Sequence, residues 1–172
     1  MASQVESYLA PKVRRITTLS FPQPRAGPAP ETRKVIPHQQ LDQWPPGEIV
    51  DQLWSRSLGI SDVYPRQSRM ASPETLALCL PDELALGPSA AFIDGSEFCH
   101  LHPPPEGSVH LTLPAPVREL IIQLGWAEEH PMARSGYVSA LLVMVFAPRT
   151  AKELTVVTQL VRISRDFAGG GF

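Results

Sequence analysis

Histidines are concentrated in one short stretch of this sequence, because three of the five lie between residues 100 and 110. His100 and His102 precede the run 103–107 (PPPEG), which is typical of a β-hairpin turn, and His110 follows it. If the hairpin pairs His100 with His110, the alternation of strand side chains places five polar groups on one face: His100, His102, Ser108, His110 and Thr112. The apolar residues between them would face the core. The spacing therefore predicts a patch of imidazoles on one face of a sheet.

The patch supports three interpretations of its chemistry. Neutral imidazoles on adjacent strands can hold a metal ion with an open fourth position, and the ligands would be His100, His102 and His110. Alternatively, they act as general acids, bases and hydrogen-bonding groups in a pocket for an organic ligand, since the imidazole pKa lies near neutrality. In the third interpretation they are polar side chains on a solvated face of the sheet.

A second group of candidates follows a predicted helix end at Gly125. We expect the segment 126–131 to form a loop that folds back over the hairpin and brings His130 to it as a fourth imidazole. Glu128 is a candidate for orienting an imidazole or binding substrate, and Trp126 is either a core anchor or a surface that stacks on a ligand. Arg149, which follows an apolar strand, could reach an anionic ligand.

Proline density divides the chain. Eight of its 19 prolines lie within the first 46 residues, and proline disrupts both helices and central strands. Residues 1–43 are therefore predicted to form a Pro-rich N-terminal arm, either docked on the rest of the protein or mobile. Residues 44–172 are predicted to form the folded domain.

That domain is predicted to be α+β, with a mostly antiparallel sheet and helices packed on one side. Hydrophobic periodicity and end signals predict three helices, near residues 45–59, 116–124 and 150–168, the last opened by a capping box from Thr150 to Glu153. Predicted strands cover residues 75–80, 90–93, 97–102, 108–113 and 141–146. Asp94-Gly95 favours a type I′ hairpin between the second and third of these. The apolar strand 141–146 is expected in the middle of the sheet.

Composition excludes several function classes. The formal net charge is −2 and basic residues form no run, so neither nucleic acid nor an anionic membrane is expected as a partner. No apolar stretch approaches the roughly 20 residues of a membrane span, and no signal peptide is recognisable. A cytoplasmic protein is therefore expected, with Cys79 and Cys99 as buried free thiols. Glycine loops for nucleotides and the Gly-x-Ser-x-Gly elbow are absent from the sequence.

Four segments in order resemble the fungal luciferase-like domain, which is shared by mushroom luciferases and by small bacterial and fungal proteins of unknown function. They are Glu97-Phe98-Cys99-His100-Leu101-His102, Ser108-Val109-His110-Leu111-Thr112-Leu113, Gly125-Trp126 with His130-Pro131, and Phe146-Ala147-Pro148-Arg149. The resemblance covers about residues 90–168. The Pro-rich arm stands where the luciferases have an apolar, membrane-anchoring N-terminus.

The resemblance implies a reaction and a set of site residues. Mushroom luciferases add dioxygen to a hydroxylated α-pyrone, and they are described as needing no metal or organic cofactor. The positions carried over to this chain by motif are His100, His102, His110, Trp126, His130 and Arg149.

Residues and resemblance together predict a small soluble enzyme that acts on an enolic or polyketide-like molecule of natural-product metabolism without a cofactor. The predicted catalytic residues are His100, His102, His110 and His130. The predicted substrate-binding residues are Trp126, Glu128, Arg149 and Ser108. Oxygenation by dioxygen, cyclisation, isomerisation and decarboxylation are alternative reactions through one enolate. The competing hypotheses are a metal-dependent enzyme with His100, His102 and His110 as ligands, and a non-enzymatic module that binds a small molecule or a protein.

Overall fold

Three α-helices and six β-strands form the part of the chain that the computed structural model describes, residues 22–172. The helices are α1 (Gly47–Leu58), α2 (Ala115–Gln123) and α3 (Ala151–Ala168). The strands are β1 (Tyr64–Gln67), β2 (Leu76–Cys79), β3 (Glu97–Leu101), β4 (Val109–Thr112), β5 (Ala127–Glu129) and β6 (Leu142–Val145). Short 3-10 turns lie at Asp82–Leu84, Ser89–Ala91 and Pro131–Arg134.

The strands form one antiparallel sheet in the order β1-β2-β3-β4-β6-β5. The first four strands are a meander, whereas the chain after β4 passes through α2 to the edge strand β5 and returns as β6. The apolar β6 therefore pairs on both sides and is fully buried, as its sequence predicts.

Helices cover one face of this sheet and build the core with it. The strand side chains on that face include Cys99, Leu101, Val109, Leu111 and Val143. The helices contribute Ile49 and Leu53 from α1, Val117 and Ile121 from α2, and Leu154, Val157 and Val161 from α3. The prediction of an α+β fold with helices on one side is confirmed.

Local signals account for the helix ends. The Thr150 hydroxyl accepts a hydrogen bond from the Glu153 N–H at 3.2 Å and begins α3, as the capping box predicts. Gly125 ends α2 with a positive φ of 74°, a conformation that favours glycine. Within residues 22–172 none of the helices has both the length and the apolar character that crossing a bilayer demands.

Two predicted elements are wrong. Residues 90–93 do not form a strand, and Asp94 makes only an isolated bridge to Glu97. The reason is that β2 occupies the edge of β3 that this strand would need, with Leu78 opposite Cys99. The segment 126–131, predicted as a loop, contains β5 because the free edge of β6 accepts it despite its low β-propensity.

The arm segment at residues 38–40 docks on the sheet face opposite the helices. His38 and Gln40 are each only 2% exposed. The Gln40 side-chain oxygen accepts a hydrogen bond from the Ala147 N–H at 3.0 Å, which ties the arm to the end of β6. Residues 1–21 lie outside the described residues, and the domain division at residue 44 stays a prediction.

The two cysteines are free and buried, as predicted. Cys99 faces the core from β3, and Cys79 ends β2. Burial raises the pKa of the Cys79 thiol to about 11. Both side chains are therefore un-ionised packing groups near neutral pH.

Gly87 marks a close approach of two backbones. A Cβ at this position would lie 2.3 Å from the Phe167 carbonyl oxygen and 2.8 Å from that of Ala168, at the end of α3. We expect Gly87→Ala to destabilise the protein by about 1–3 kcal/mol, because the backbone there must shift. Urea unfolding measures the loss. Gly47→Ala, which meets no atom within 4 Å, is the matched control. Equal stability of the two variants would contradict the prediction.

Candidate functional site

All five histidines of the chain lie together on the sheet face that the arm covers. His110 is central: its ring centroid is 4.7 Å from that of His102, 4.9 Å from those of His100 and His130, and 5.2 Å from that of His38. Each histidine is at most 6% exposed. The chain thus assembles one buried imidazole cluster from β3, β4, the arm and the segment after β5.

The hairpin register is the one that the sequence predicts. His100 is paired with His110, and the His102 N–H donates to the Ser108 carbonyl at 3.0 Å. The interpretation of a solvated histidine face is wrong, because the arm buries this face.

His38 is a member of the cluster that the sequence interpretation missed. Its Nε2 lies 2.7 Å from Glu128 Oε1, and Glu128 also binds the Lys34 ammonium group. Hydrogen bonds from these two side chains overcome the effect of burial, which alone would raise the pKa of Glu128, and lower it to about 2. His38 follows Pro37 in the Pro-rich arm, and nothing in that local sequence predicts its contact with the hairpin.

Two buried carboxylates, also missed, contact the hairpin histidines. Glu97 Oε1 lies 2.8 Å from His100 Nδ1 and accepts a hydrogen bond from Ser68 at 3.0 Å. Glu106 binds His102 Nδ1 with one oxygen and accepts from the Gln40 N–H at 2.8 Å with the other. Burial alone would raise the pKa of Glu106, but these hydrogen bonds hold it below its usual value.

Strand alternation alone would turn Glu97 away from His100, three residues later. The register shifts in this region, because Leu78 pairs with Cys99 but Cys79 pairs with Glu97. The extra residue, Phe98, bulges into the core beside Cys99. The β-bulge therefore brings the Glu97 carboxylate to the histidine face.

The hydrogen bonds assign the protons of a three-residue chain. His100 Nδ1 donates to the Glu97 carboxylate, so the Nε2 of an uncharged His100 accepts from His110 Nδ1 at 2.9 Å. His110 Nε2 then carries a lone pair, and this buried nitrogen has no hydrogen-bond partner among residues 22–172.

Hydrogen bonds also assign the ring protons of two other histidines of the cluster, His38 and His130. His38 donates from Nε2 to Glu128, so its Nδ1 carries a lone pair, which is likewise buried and without a partner within residues 22–172. His130 Nδ1 accepts from the Met132 N–H at 3.2 Å, which places the proton of an uncharged His130 on Nε2. Two unpartnered lone pairs therefore lie on the arm side of the cluster.

Three imidazoles of the cluster, those of His100, His110 and His130, have lowered pKa values and resist protonation. Burial lowers the pKa of His110 well below its usual value, and neighbouring histidines lower it further. Burial lowers the pKa of His100 despite the Glu97 hydrogen bond, and burial with repulsion from His38 lowers that of His130 to about 4. These three groups are therefore neutral at neutral pH.

A cavity of about 640 Å³ opens onto the cluster. Its polar lining includes all five histidines and Glu106. The remaining wall is mostly apolar and includes Ile36, Pro37, Met70, Ile93, Met132, Val138 and Leu142. Arg69, also in the lining, is exposed and paired with Asp94 at 2.6 Å. The cavity therefore suits a largely apolar organic molecule with a polar group directed at the histidines.

The structure does not bring all the predicted binding residues to this cavity. Ser108 lies behind His102, with its hydroxyl 3.4 Å from Nδ1, and Glu128 lies behind His38. Trp126 packs in the core, and its indole N–H donates to the Gln23 carbonyl at 2.8 Å. Arg149 pairs with Glu153 and donates to the Ala26 carbonyl at 2.7 Å. Trp126 and Arg149 thus hold the arm and do not line the cavity.

Two sets of three imidazole nitrogens lie close enough together to share a metal ion. One is the predicted set His100, His102 and His110, and the other is His38, His110 and His130. Within each set the three nitrogens lie within 4.8 Å of one another.

The cluster predicts a loss of stability in mild acid. Between about pH 6.5 and 4 the unfolded chain protonates His130 but the folded chain does not, so the free energy of unfolding falls as the pH falls. Each such histidine adds up to about 1.4 kcal/mol per pH unit to the slope. Urea unfolding over this range, with a chelator present, measures it. His130→Gln should have a shallower slope, and an unchanged slope would contradict the assignment.

A comparison with protein families supports the predicted resemblance. The family model described as Luciferase domain matches residues 95–164, which include four of the five histidines together with Glu97 and Glu106. Comparisons with curated proteins and with solved structures found no match. His38 and the described arm lie before the matched segment. Residues 95–164 of this chain are thus similar to the luciferase domain family.

Proposed function

We propose that this chain is an enzyme that removes a proton from an enol, or a similarly acidic hydroxyl, of a small and largely apolar molecule. The cavity supports the substrate class, since apolar walls surround a polar end formed by histidines. The family match supports small-molecule chemistry. The hydrogen-bonded pair Glu106–His102 at the cavity is the single observation that carries the proposal.

His102 is the proposed general base. Its side-chain hydrogen bonds, to Glu106 and Ser108, both use Nδ1, which leaves Nε2 for a ligand in the cavity. A carboxylate on Nδ1 fixes the tautomer in which Nε2 accepts a proton. The same carboxylate stabilises the imidazolium that forms, and base catalysis of this kind typically contributes about 10²–10⁴-fold in rate.

The proposed step is a simple proton transfer. The substrate hydroxyl gives its proton to His102 Nε2, and the electron pair of the O–H bond stays on the substrate as an enolate. Glu106 pairs with the resulting imidazolium, held in place by the Gln40 N–H. Because the site is buried, this charge pair is worth more there than in water.

His100 has a different role from His102 in this proposal. Both of its ring nitrogens are engaged, one by Glu97 and one by His110. His100 is therefore a positioning residue. It holds the proton of His110 on Nδ1, which leaves the lone pair of His110 on Nε2.

The enolate is the species from which the reaction proceeds. Addition of dioxygen is the reaction that the resemblance to mushroom luciferases favours. Cyclisation, isomerisation and decarboxylation proceed from the same enolate. The substrate and dioxygen are accordingly the proposed partners of the cavity.

The proton transfer is testable with 4-nitrophenol, whose neutral and ionised forms absorb at different wavelengths. We work below the pKa of the compound, where the free probe is un-ionised. The wild-type protein should bind it as the phenolate, because His102 accepts its proton. His102→Gln should bind the neutral phenol or not bind, and Glu106→Gln should form less phenolate.

Arg162→Ala, an exposed change on α3 far from the histidine residues in sequence, is the control and should match the wild type. Phenolate formation that persists in His102→Gln would assign the base elsewhere. Binding by the wild type without ionisation of the probe would contradict the proposed function.

A further inference from the structure

We propose that His38, His110 and His130 bind a divalent transition-metal ion of the zinc and iron class. This set is distinct from the hairpin set that the sequence suggests, because two of its members come from the arm and from the segment after β5. The inference stands on the geometry of the imidazoles and does not depend on the proposed proton transfer.

The first observation is a pair of unsatisfied nitrogens. His38 Nδ1 and His110 Nε2 are buried, and neither has a hydrogen-bond partner among residues 22–172. Buried polar atoms without a partner are uncommon, and each one calls for an explanation. The hydrogen bonds at the opposite nitrogens leave a lone pair on both atoms. These are the atoms that a metal ion would use.

The second observation is the support behind each ligand. Metal-binding histidines almost always donate their other ring N–H to a carboxylate or another acceptor. His38 donates to Glu128, and His110 donates to His100, which in turn donates to Glu97. One carboxylate therefore lies directly behind His38, and a second lies behind His110 through His100.

The third ligand is His130, which has a ring nitrogen within 4.8 Å of the other two ligand atoms. A tetrahedral ion with bonds of 2.0–2.1 Å needs nitrogens about 3.3 Å apart, a separation that falls within the 4.8 Å limit of this set. The Met132 N–H donates to His130 Nδ1 at 3.2 Å, and metal binding through Nε2 would move the ring proton to Nδ1 and break this hydrogen bond. His130 is consequently the weakest ligand of the three.

The hairpin set is less suitable for an ion. His100 Nε2 and His110 Nδ1 are 2.9 Å apart and share a proton, and a metal there would have to displace it. The proton of His110 would then move to Nε2, which is buried and has no acceptor within the described residues. Metal at the arm-side set leaves the Glu97–His100–His110 chain intact.

Ligand chemistry decides the class of the ion. Imidazole nitrogens suit zinc, iron, copper and nickel, whereas magnesium and calcium prefer oxygen ligands. All three proposed ligands line the cavity. A fourth position would therefore face the cavity, open to water or to an oxygen atom of the substrate.

The test is metal binding by the full chain, purified without a histidine tag and freed of metal by a chelator. Cobalt(II) reports imidazole ligation through its visible absorption, and calorimetry with zinc gives the affinity. We expect one ion per wild-type chain. His38→Ala should abolish tight binding, and His130→Ala should weaken it by at least about tenfold.

Two further variants make the test decisive. His102→Ala removes a histidine of the alternative set only, and it should bind metal within about threefold of the wild type. Glu128→Gln keeps every ligand but removes the carboxylate behind His38, so it should weaken binding about 10–100-fold even if His38→Ala does not fold.

Two results would overturn the proposal. The first is a wild-type chain that takes up less than a stoichiometric amount of cobalt and zinc. The second is binding that is lost in His102→Ala and kept in Glu128→Gln and His130→Ala, which would place the ion at the hairpin set. The first result does not bear on the ionisation of 4-nitrophenol by His102, so the two proposals can fail separately.

Discussion

Five imidazoles are buried together at one face of this sheet, and burial of so many polar rings demands a hydrogen-bond partner for each. Glu97, Glu106 and Glu128 meet most of that demand, because each of them binds one imidazole. The carboxylates in turn need donors, which come from Ser68, the Gln40 backbone and Lys34. The positions of the arm, the hairpin and β5 all follow from satisfying this network.

The network also separates two kinds of imidazole. Where both nitrogens are engaged, as in His100, the ring is a fixed structural part. Where only one nitrogen donates to a partner, as in His38, His102 and His110, the other keeps a lone pair. Chemistry belongs to the second kind, and the protein surrounds it with apolar walls that strengthen electrostatic interactions.

Local patterns predict much of the fold and about half of the site. The alternation of residues around His100 and His110 fixes the register, and the signals at Thr150 and Gly125 fix helix ends, since these depend on near neighbours in sequence. The strand at 90–93 fails because another strand takes its place, which is a long-range effect. Glu97 is missed because one bulged residue moves its side chain to the opposite face of the sheet. His38 is missed because the contact between the arm and the hairpin produces no periodic pattern in the sequence.

One carboxylate has two tasks that are thermodynamically joined. Glu106 holds His102 with one oxygen and the backbone of the arm, at Gln40, with the other. The protonation state of the His102–Glu106 pair is therefore linked to the hydrogen bond between Glu106 and the Gln40 N–H. By reciprocity, a change in either one alters the other. A ligand that gives its proton to His102 alters how firmly the arm is held at Gln40, and the adjacent His38 and Gln39 form part of the wall around that ligand. Binding of a ligand in the cavity and the strength of the contact between Glu106 and the arm are therefore thermodynamically linked.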